Sequence, residues 1–242
     1  MGSADDVRSK NLALAAALAF ALLLAGCASI GVQRAPVTAS ASLPIAVVPA
    51  PAATGDSFVV WYSGVGGWGP ADRTVAARLA ARGLPVVGVD SARYFSSLRS
   101  PEQAAADLGA LIDRYGALWN RPNVVLVGYS FGGAAAPLIL PQLAPEARAH
   151  IRLVVLIAPS RKGQLVMRPW TLLEIFNPGA RPLTEEASAL ASVHSLCIAD
   201  PHDEVAFCRS VPGAAQVQIS GGHLLKGSYD VVADAIAAAA KP

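Results

Sequence analysis

Between Val124 and Gly133 the chain reads Val-Val-Leu-Val-Gly-Tyr-Ser-Phe-Gly-Gly, and Ser130 is the residue there whose setting could make it a nucleophile. A serine hydroxyl attacks poorly on its own; it needs a base to take its proton and an acid to orient that base. The four apolar residues Val124 to Val127 predict a strand buried on both faces, and Ala134, Ala135 and Ala136 can start a helix. A serine between Gly128 and Gly132 at a strand-to-helix turn has the form of a nucleophile elbow. Glycine is required there because the turn is tight, and a Cβ at either position would strike the neighbouring backbone.

The base and acid should follow in chain order, each in a loop after a later strand. Of four histidines, His150 and His194 precede predicted strands and His202 adjoins the candidate acids. His223, in Gly221-Gly222-His223, follows the predicted strand Gln216 to Ile219 and is the expected base. Asp200, Asp203 and Glu204 compete for the acid in the loop after Ser195 to Ile198; Asp203 is preferred, and Asp200, nearer the strand end, is the alternative. The backbone N–H groups of Phe131 and Val65 are the expected oxyanion donors, each contributing on the order of 3 kcal/mol of barrier lowering. Val65 belongs to the glycine loop Ser63-Gly64-Val65-Gly66-Gly67-Trp68, which reads equally well as a plain turn. No cofactor or metal is expected.

The elements that must position these residues alternate. Strands are predicted at Leu43 to Val48, Ser57 to Tyr62, Pro85 to Asp90, the elbow strand, Ile151 to Ile157, Ser195 to Ile198 and Gln216 to Ile219. Helices are predicted at about 70 to 83, from Pro101, after the elbow to about Leu143, and from Tyr229 to Ala240. Leu108, Leu111, Ile112 and Tyr115 form one helical stripe, and Ser91 to Ser100 is expected as a loop. This rhythm gives an α/β class with a mostly parallel sheet covered by helices on both faces, the α/β-hydrolase arrangement. Pro159 to Leu190 has no clean period; its apolar cluster, Trp170, Leu172, Leu173, Ile175 and Phe176, fits a lid or an edge-covering excursion equally.

A chain of 242 residues, 53% hydrophobic and 15% charged, can bury one sizeable core. A net charge of +2 without a basic run excludes nucleic acid as an expected partner. Residues 1–26 stand apart from the domain at 43–242. Arg8 and Lys10 precede a short apolar run to Leu24, the shape of a signal peptide. It ends in Leu24-Ala25-Gly26-Cys27, similar to a bacterial lipobox, so Cys27 is the expected lipidation site and residues 27–42 a flexible tether. Ala28 after Cys27 favours the outer over the inner membrane of a periplasmic location. Cys197 and Cys208 then remain as an even pair in an oxidising compartment, spaced unlike a zinc site, and are read as a disulfide.

Several stretches together resemble the VirJ/AcvB bacterial virulence family: Val86 to Phe95, Pro101-Glu102-Gln103, Gly128 to Gly132, Cys197 through Cys208, and Gly221-Gly222-His223. The resemblance runs from about Phe58 to the C-terminus. It implies a periplasmic α/β-hydrolase linked to type IV secretion and virulence, in a family with members that hydrolyse lysyl-phosphatidylglycerol. It also implies Ser130 as nucleophile, His223 as base and Asp203 as the acid between the cysteines. The chain departs from the family at Val65, which replaces an aspartate, at Gly133-Ala134, which replaces Ala-Asp, and at Leu224, where a second histidine is common.

Two function classes follow. One is a membrane-tethered serine esterase acting on a lipid or small ester, aminoacyl-phosphatidylglycerol by the resemblance, with Arg93 expected to meet a lipid phosphate and Trp68 and Tyr94 to flank it. A structural salt bridge for Arg93 is the equal alternative. The other class is a non-catalytic partner of secretion-system proteins built on the same fold.

Overall fold

The unbroken apolar run of the elbow strand is possible because nothing on either side of it is water. In the computed structural model, which describes residues 43–51, 55–168, 180–183, 186–203, 206, 208, 211 and 213–241, this strand is the middle of a seven-stranded sheet. The signal segment, Cys27, the tether, Glu204 and the Trp170 to Phe176 cluster lie outside the described residues. Among the described residues no helix is long and apolar enough to cross a membrane.

The strands are β1 (Ile45–Val48), β2 (Ser57–Tyr62), β3 (Val86–Val89), β4 (Asn123–Tyr129), β5 (Ile151–Ile157), β8 (Ser195–Ala199) and β9 (Ala215–Gln218). Their spatial order is β1-β3-β2-β4-β5-β8-β9, and every pairing is parallel except the edge pair β1 with β3. A small antiparallel pair, β6 (Lys162–Gly163) with β7 (Arg181–Pro182), lies outside this sheet.

Period-two alternation divides each strand between two cores. In β2, Phe58, Val60 and Tyr62 join Leu126 and the buried stripe of α3 (Pro101–Trp119), while Val59 and Trp61 join Val125, Val127 and residues of α1 (Pro70–Ala81). The stripe is as predicted: Leu108, Leu111, Ile112 and Tyr115 are all buried. Each such side chain taken from water contributes about 1.5–3 kcal/mol. Ser100 and Gln103 close a reciprocal capping box at the start of α3, behind Pro101.

Three local departures have local causes. Part of the expected loop after β3 is a one-turn helix, α2 (Ser91–Tyr94), because the Asp90 carboxylate accepts the Arg93 N–H. The helix after the elbow, α4 (Phe131–Ile139), stops short of Leu143: Pro141 has no N–H to continue it, and a 3-10 turn follows at Leu140–Gln142. A further short helix, α5 (Pro145–Ala149), precedes β5, and α6 (Tyr229–Ala239) closes the chain.

Close approach at the elbow makes stability sensitive to single methyl groups. An added Cβ at Gly132 would come 2.3 Å from the Tyr62 carbonyl oxygen, and one at Gly128 2.5 Å from the Gly132 carbonyl oxygen. One at Gly66, in the glycine loop, would meet nothing within 4 Å. Gly128→Ala and Gly132→Ala should therefore each cost about 1–3 kcal/mol or more in chemical denaturation, whereas Gly66→Ala should stay within about 0.5 kcal/mol of wild type.

Candidate active site

All parallel strands of the sheet end on one side, and the loops leaving those ends carry the residues singled out above. β4 runs directly into Ser130, whose backbone sits at φ 52°, ψ −111°. A non-glycine residue in this region stores about 1–3 kcal/mol and persists only where its surroundings hold it. Here the Ser130 N–H donates to the Ile157 carbonyl at 2.8 Å, and its own carbonyl accepts the Ala134 N–H at 3.1 Å. The Ser130 side chain does not cap α4. Its Oγ lies 2.8 Å from His223 Nε2 instead.

His223 belongs to a 3-10 turn, Gly222–Leu224, after β9. Its Nδ1 lies 2.8 Å from Asp203 Oδ2, a carboxylate only 2% exposed. With Nδ1–H donating to the carboxylate, Nε2 is left to accept the serine proton, the tautomer a general base requires. The structure thus joins Ser130, His223 and Asp203 in one chain of hydrogen bonds. Asp200, the alternative acid, does not face the imidazole. Its oxygens accept backbone N–H groups, His202 at 2.9 Å and Gly222 at 2.8 Å, and these two donors hold its carboxyl below the usual range. His150 is remote, with Nδ1 bound to the Pro122 carbonyl at the opposite ends of the strands.

The loop after β2 lies against the elbow. A methyl group on Gly64 would sit 3.4 Å from Ser130 Cβ, and the Gly67 N–H closes a turn onto the Gly64 carbonyl at 3.0 Å. Val65 is in this turn, half-buried against the same core as Phe131. Phe131 opens α4, so its N–H is one of the first-turn donors for which a helix has no internal partner. Two ties fix the loop. Ser63 Oγ accepts the Ser91 N–H at 2.9 Å, and the buried Asp72 carboxylate accepts both Trp61 Nε1 at 2.9 Å and the Gly69 N–H at 3.0 Å. Burial pushes the Asp72 carboxyl up, against those two bonds, which favour its charged form.

The three residues expected to touch substrate do not converge. Tyr94 is a core residue, 2% exposed; its hydroxyl donates to Asp107 at 2.6 Å, and its ring meets Phe95 edge-on at 4.7 Å. Trp68 lies across the sheet at Gly88, where an added Cβ would fall 2.2 Å from its ring. Tyr94 is thus committed to packing, while Trp68 packs one part of its ring and stays half-buried. Arg93 stands in solvent, 80% exposed, with Nε 3.9 Å from Asp90 Oδ2, the weak surface pairing of the salt-bridge alternative.

Cys197 and Cys208 are disulfide-bonded, closing a loop that contains both Asp200 and Asp203. Among the described residues no group of three histidine, cysteine or carboxylate side chains is placed to hold a metal ion. Sequence reasoning missed one contact to the base: the Tyr129 hydroxyl donates to the His223 carbonyl at 2.8 Å. Its only signal was adjacency to Ser130.

Comparison with solved structures places this fold among α/β-hydrolases. A probable hydrolytic enzyme from Pseudomonas aeruginosa superposes with a TM-score of 0.57 at 15% identity, covering 82% of this chain and 89% of that one. The esterase domain of a Rhodothermus marinus protein gives 0.54 at 17% identity, covering 81% and 97%. Est1E from Butyrivibrio proteoclasticus gives 0.55 at 12% identity, covering 80% and 90%. No functionally curated protein matches the sequence. The profile of one family, described as bacterial virulence protein (VirJ), matches residues 56–241, nearly the whole of the folded domain, and the chain belongs to that family.

Proposed function

We propose that the protein is a serine esterase of the bacterial periplasm, tethered to the membrane through a lipid on Cys27. The observation that carries the catalytic part is the continuous chain Ser130 Oγ, His223 Nε2 and Nδ1, Asp203 Oδ2, with both links at 2.8 Å and the serine at a strained elbow. In the reaction, His223 Nε2 takes the Ser130 proton as Oγ attacks the ester carbonyl carbon. The negative charge that develops on the carbonyl oxygen is met by the N–H groups of Phe131 and Val65. Protonated His223 then gives its proton to the leaving alcohol, and Asp203 stabilises the imidazolium throughout. Water, deprotonated by the same imidazole, hydrolyses the acyl-serine and restores the hydroxyl.

A fluorophosphonate probe should label the wild-type protein covalently. Ser130→Ala should abolish the labelling, and His223→Ala should lower ester turnover on the order of 10⁴-fold or more. Absence of wild-type labelling would instead support a non-catalytic, partner-binding role for this fold.

The substrate we propose is aminoacyl-phosphatidylglycerol, cleaved at the ester that joins the amino acid to the lipid headgroup. Two considerations support it: the family resemblance, and a tether at residues 28–42 whose reach of roughly 20 Å keeps the site near headgroups. Arg93, exposed at the strand ends, is the residue proposed to meet a lipid phosphate; Arg161, Lys162 and Lys226 are further exposed cations in the loops beyond those ends. Purified protein incubated with lysyl- and alanyl-phosphatidylglycerol should release free amino acid, and Ser130→Ala and His223→Ala should not. Equal lipid levels in all three would discard this substrate while leaving a generic esterase open. The link to virulence and secretion enters through the family alone.

The tether has its own test. Cys27→Ser should move the protein from the detergent phase to the aqueous phase in a detergent-partitioning extraction; an unchanged distribution would remove lipidation at Cys27.

A further inference from the structure

His223 is carried by an irregular loop. Between Ser220 and Ser228 four residues have left-handed backbones: Gly221 (φ 106°), Gly222 (φ 63°), Leu225 (φ 57°) and Gly227 (φ 80°). The only regular element is the single 3-10 turn. The neck of the loop is tied by Ser228 Oγ to the Ser220 carbonyl at 2.6 Å and by the Lys226 N–H to the Gly221 carbonyl at 3.2 Å. Leu225 is fully buried beneath it, and the backbone on either side of the imidazole is also bonded from outside the loop.

We propose that Asp200 is a positioning residue whose carboxylate fixes the loop of the base to the loop of the acid. One oxygen accepts the His202 N–H at 2.9 Å, next to Asp203; the other accepts the Gly222 N–H at 2.8 Å, next to His223. One rigid group thus spans the backbone of both loops, whose side chains meet at the 2.8 Å contact between His223 Nδ1 and Asp203 Oδ2. The bond to His202 alone is a local turn that any aspartate makes two residues ahead. The bond to Gly222, 22 residues along the chain, is not local, and it serves the base. Both bonds are charge-assisted, and the two donors keep the carboxylate ionised. On the opposite flank the Tyr129 hydroxyl holds the His223 carbonyl, so the loop is gripped from the elbow and from the acid side.

This role rests on the serine-hydrolase reading, and the test separates the two. Two quantities are compared in the full chain: the second-order rate of fluorophosphonate labelling, and the far-downfield proton resonance of the His223 Nδ1–H in its bond to Asp203. Asp200→Ala should slow labelling on the order of 10²-fold, the penalty for a displacement near 1 Å in a catalytic group. It should also broaden the resonance into the baseline while circular dichroism stays that of wild type. Asp200→Asn keeps one accepting oxygen and should fall between the two in both readouts. Asp203→Asn should lose the resonance outright, and Ser130→Ala should retain it without labelling. Asp200→Ala with the resonance intact and labelling within twofold of wild type would overturn the proposal. If Asp200→Ala does not fold, Asp200→Asn decides: wild-type values in both readouts overturn the proposal, and reduced values support it. A wild type that shows the resonance but does not label refutes the hydrolase reading alone, and the resonance still decides for or against Asp200.

Discussion

Everything at the candidate site depends on how closely the elbow backbone approaches its neighbours. Gly132 lies against the carbonyl of Tyr62, and Gly128 lies against Gly132, at separations no Cβ could enter. That approach forces Ser130 into a left-handed, non-helical conformation and lifts its hydroxyl out of the helix cap. It also draws the end of β2 against the start of α4, which brings Gly64 of the glycine loop beside Ser130. The serine and the glycine loop are therefore placed by one packing constraint, which the two cores on either side of the sheet maintain. The strain at Ser130, about 1–3 kcal/mol, is small beside the burial of the β-branched and aliphatic side chains of β4 and β5.

The loops are held by a different device. Each of two carboxylates gathers donors that come from separate elements. Asp72 takes the Trp61 indole of β2 and the Gly69 N–H, fixing the far end of the glycine loop. Asp200 takes N–H groups from the acid and base loops. At the opposite ends of the strands buried Arg121 does the complementary work, donating to the carbonyls of Ser57 at 2.6 Å and Gly83 at 2.8 Å. Irregular backbone leaves N–H and C=O groups that no ladder satisfies, and an ionised side chain with several donors or acceptors meets more than one of them at once. Loss of one partner at the buried members would cost more than a surface ion pair such as Arg93 with Asp90, because a desolvated polar group would be left unmatched.

What could be read from the sequence was what repeats or follows a fixed order. The elbow strand was legible because burial on both faces demands an uninterrupted apolar run. α3 was legible from its stripe and its Pro101 start, and the placement of Asp203 and His223 from loops following successive strands. What failed depends on contacts distant in the chain. Tyr94 beside Arg93 in an apparent loop resembles a ligand-binding pair, but its hydroxyl is matched by Asp107, on another helix. Trp68 resembles a rim residue, but Gly88 opens a gap in β3 that the indole fills. A glycine inside a predicted strand was the available signal, since such positions mark close approach by another group. Asp200 and Asp203 could not be ranked with assurance by distance from the strand. β8 runs one residue further than predicted, and the turn that follows sends the first carboxylate to backbone and the second to the imidazole.

These corrections also bear on specificity. Tyr94 is committed to the core and Trp68, half-buried, packs its ring against Gly88. The exposed residues in the loops beyond the strand ends are of mixed kind: Arg93, Arg161, Lys162 and Lys226 are cationic, while Leu98 (71% exposed) and Leu224 (57% exposed) are apolar. Exposed leucines gain nothing from water, whereas the arginine and lysine heads are well hydrated and can meet an anionic group. The sheet and its two cores thus place the hydrogen-bonded chain from Ser130 through His223 to Asp203, and the surface around it falls to residues the core does not constrain.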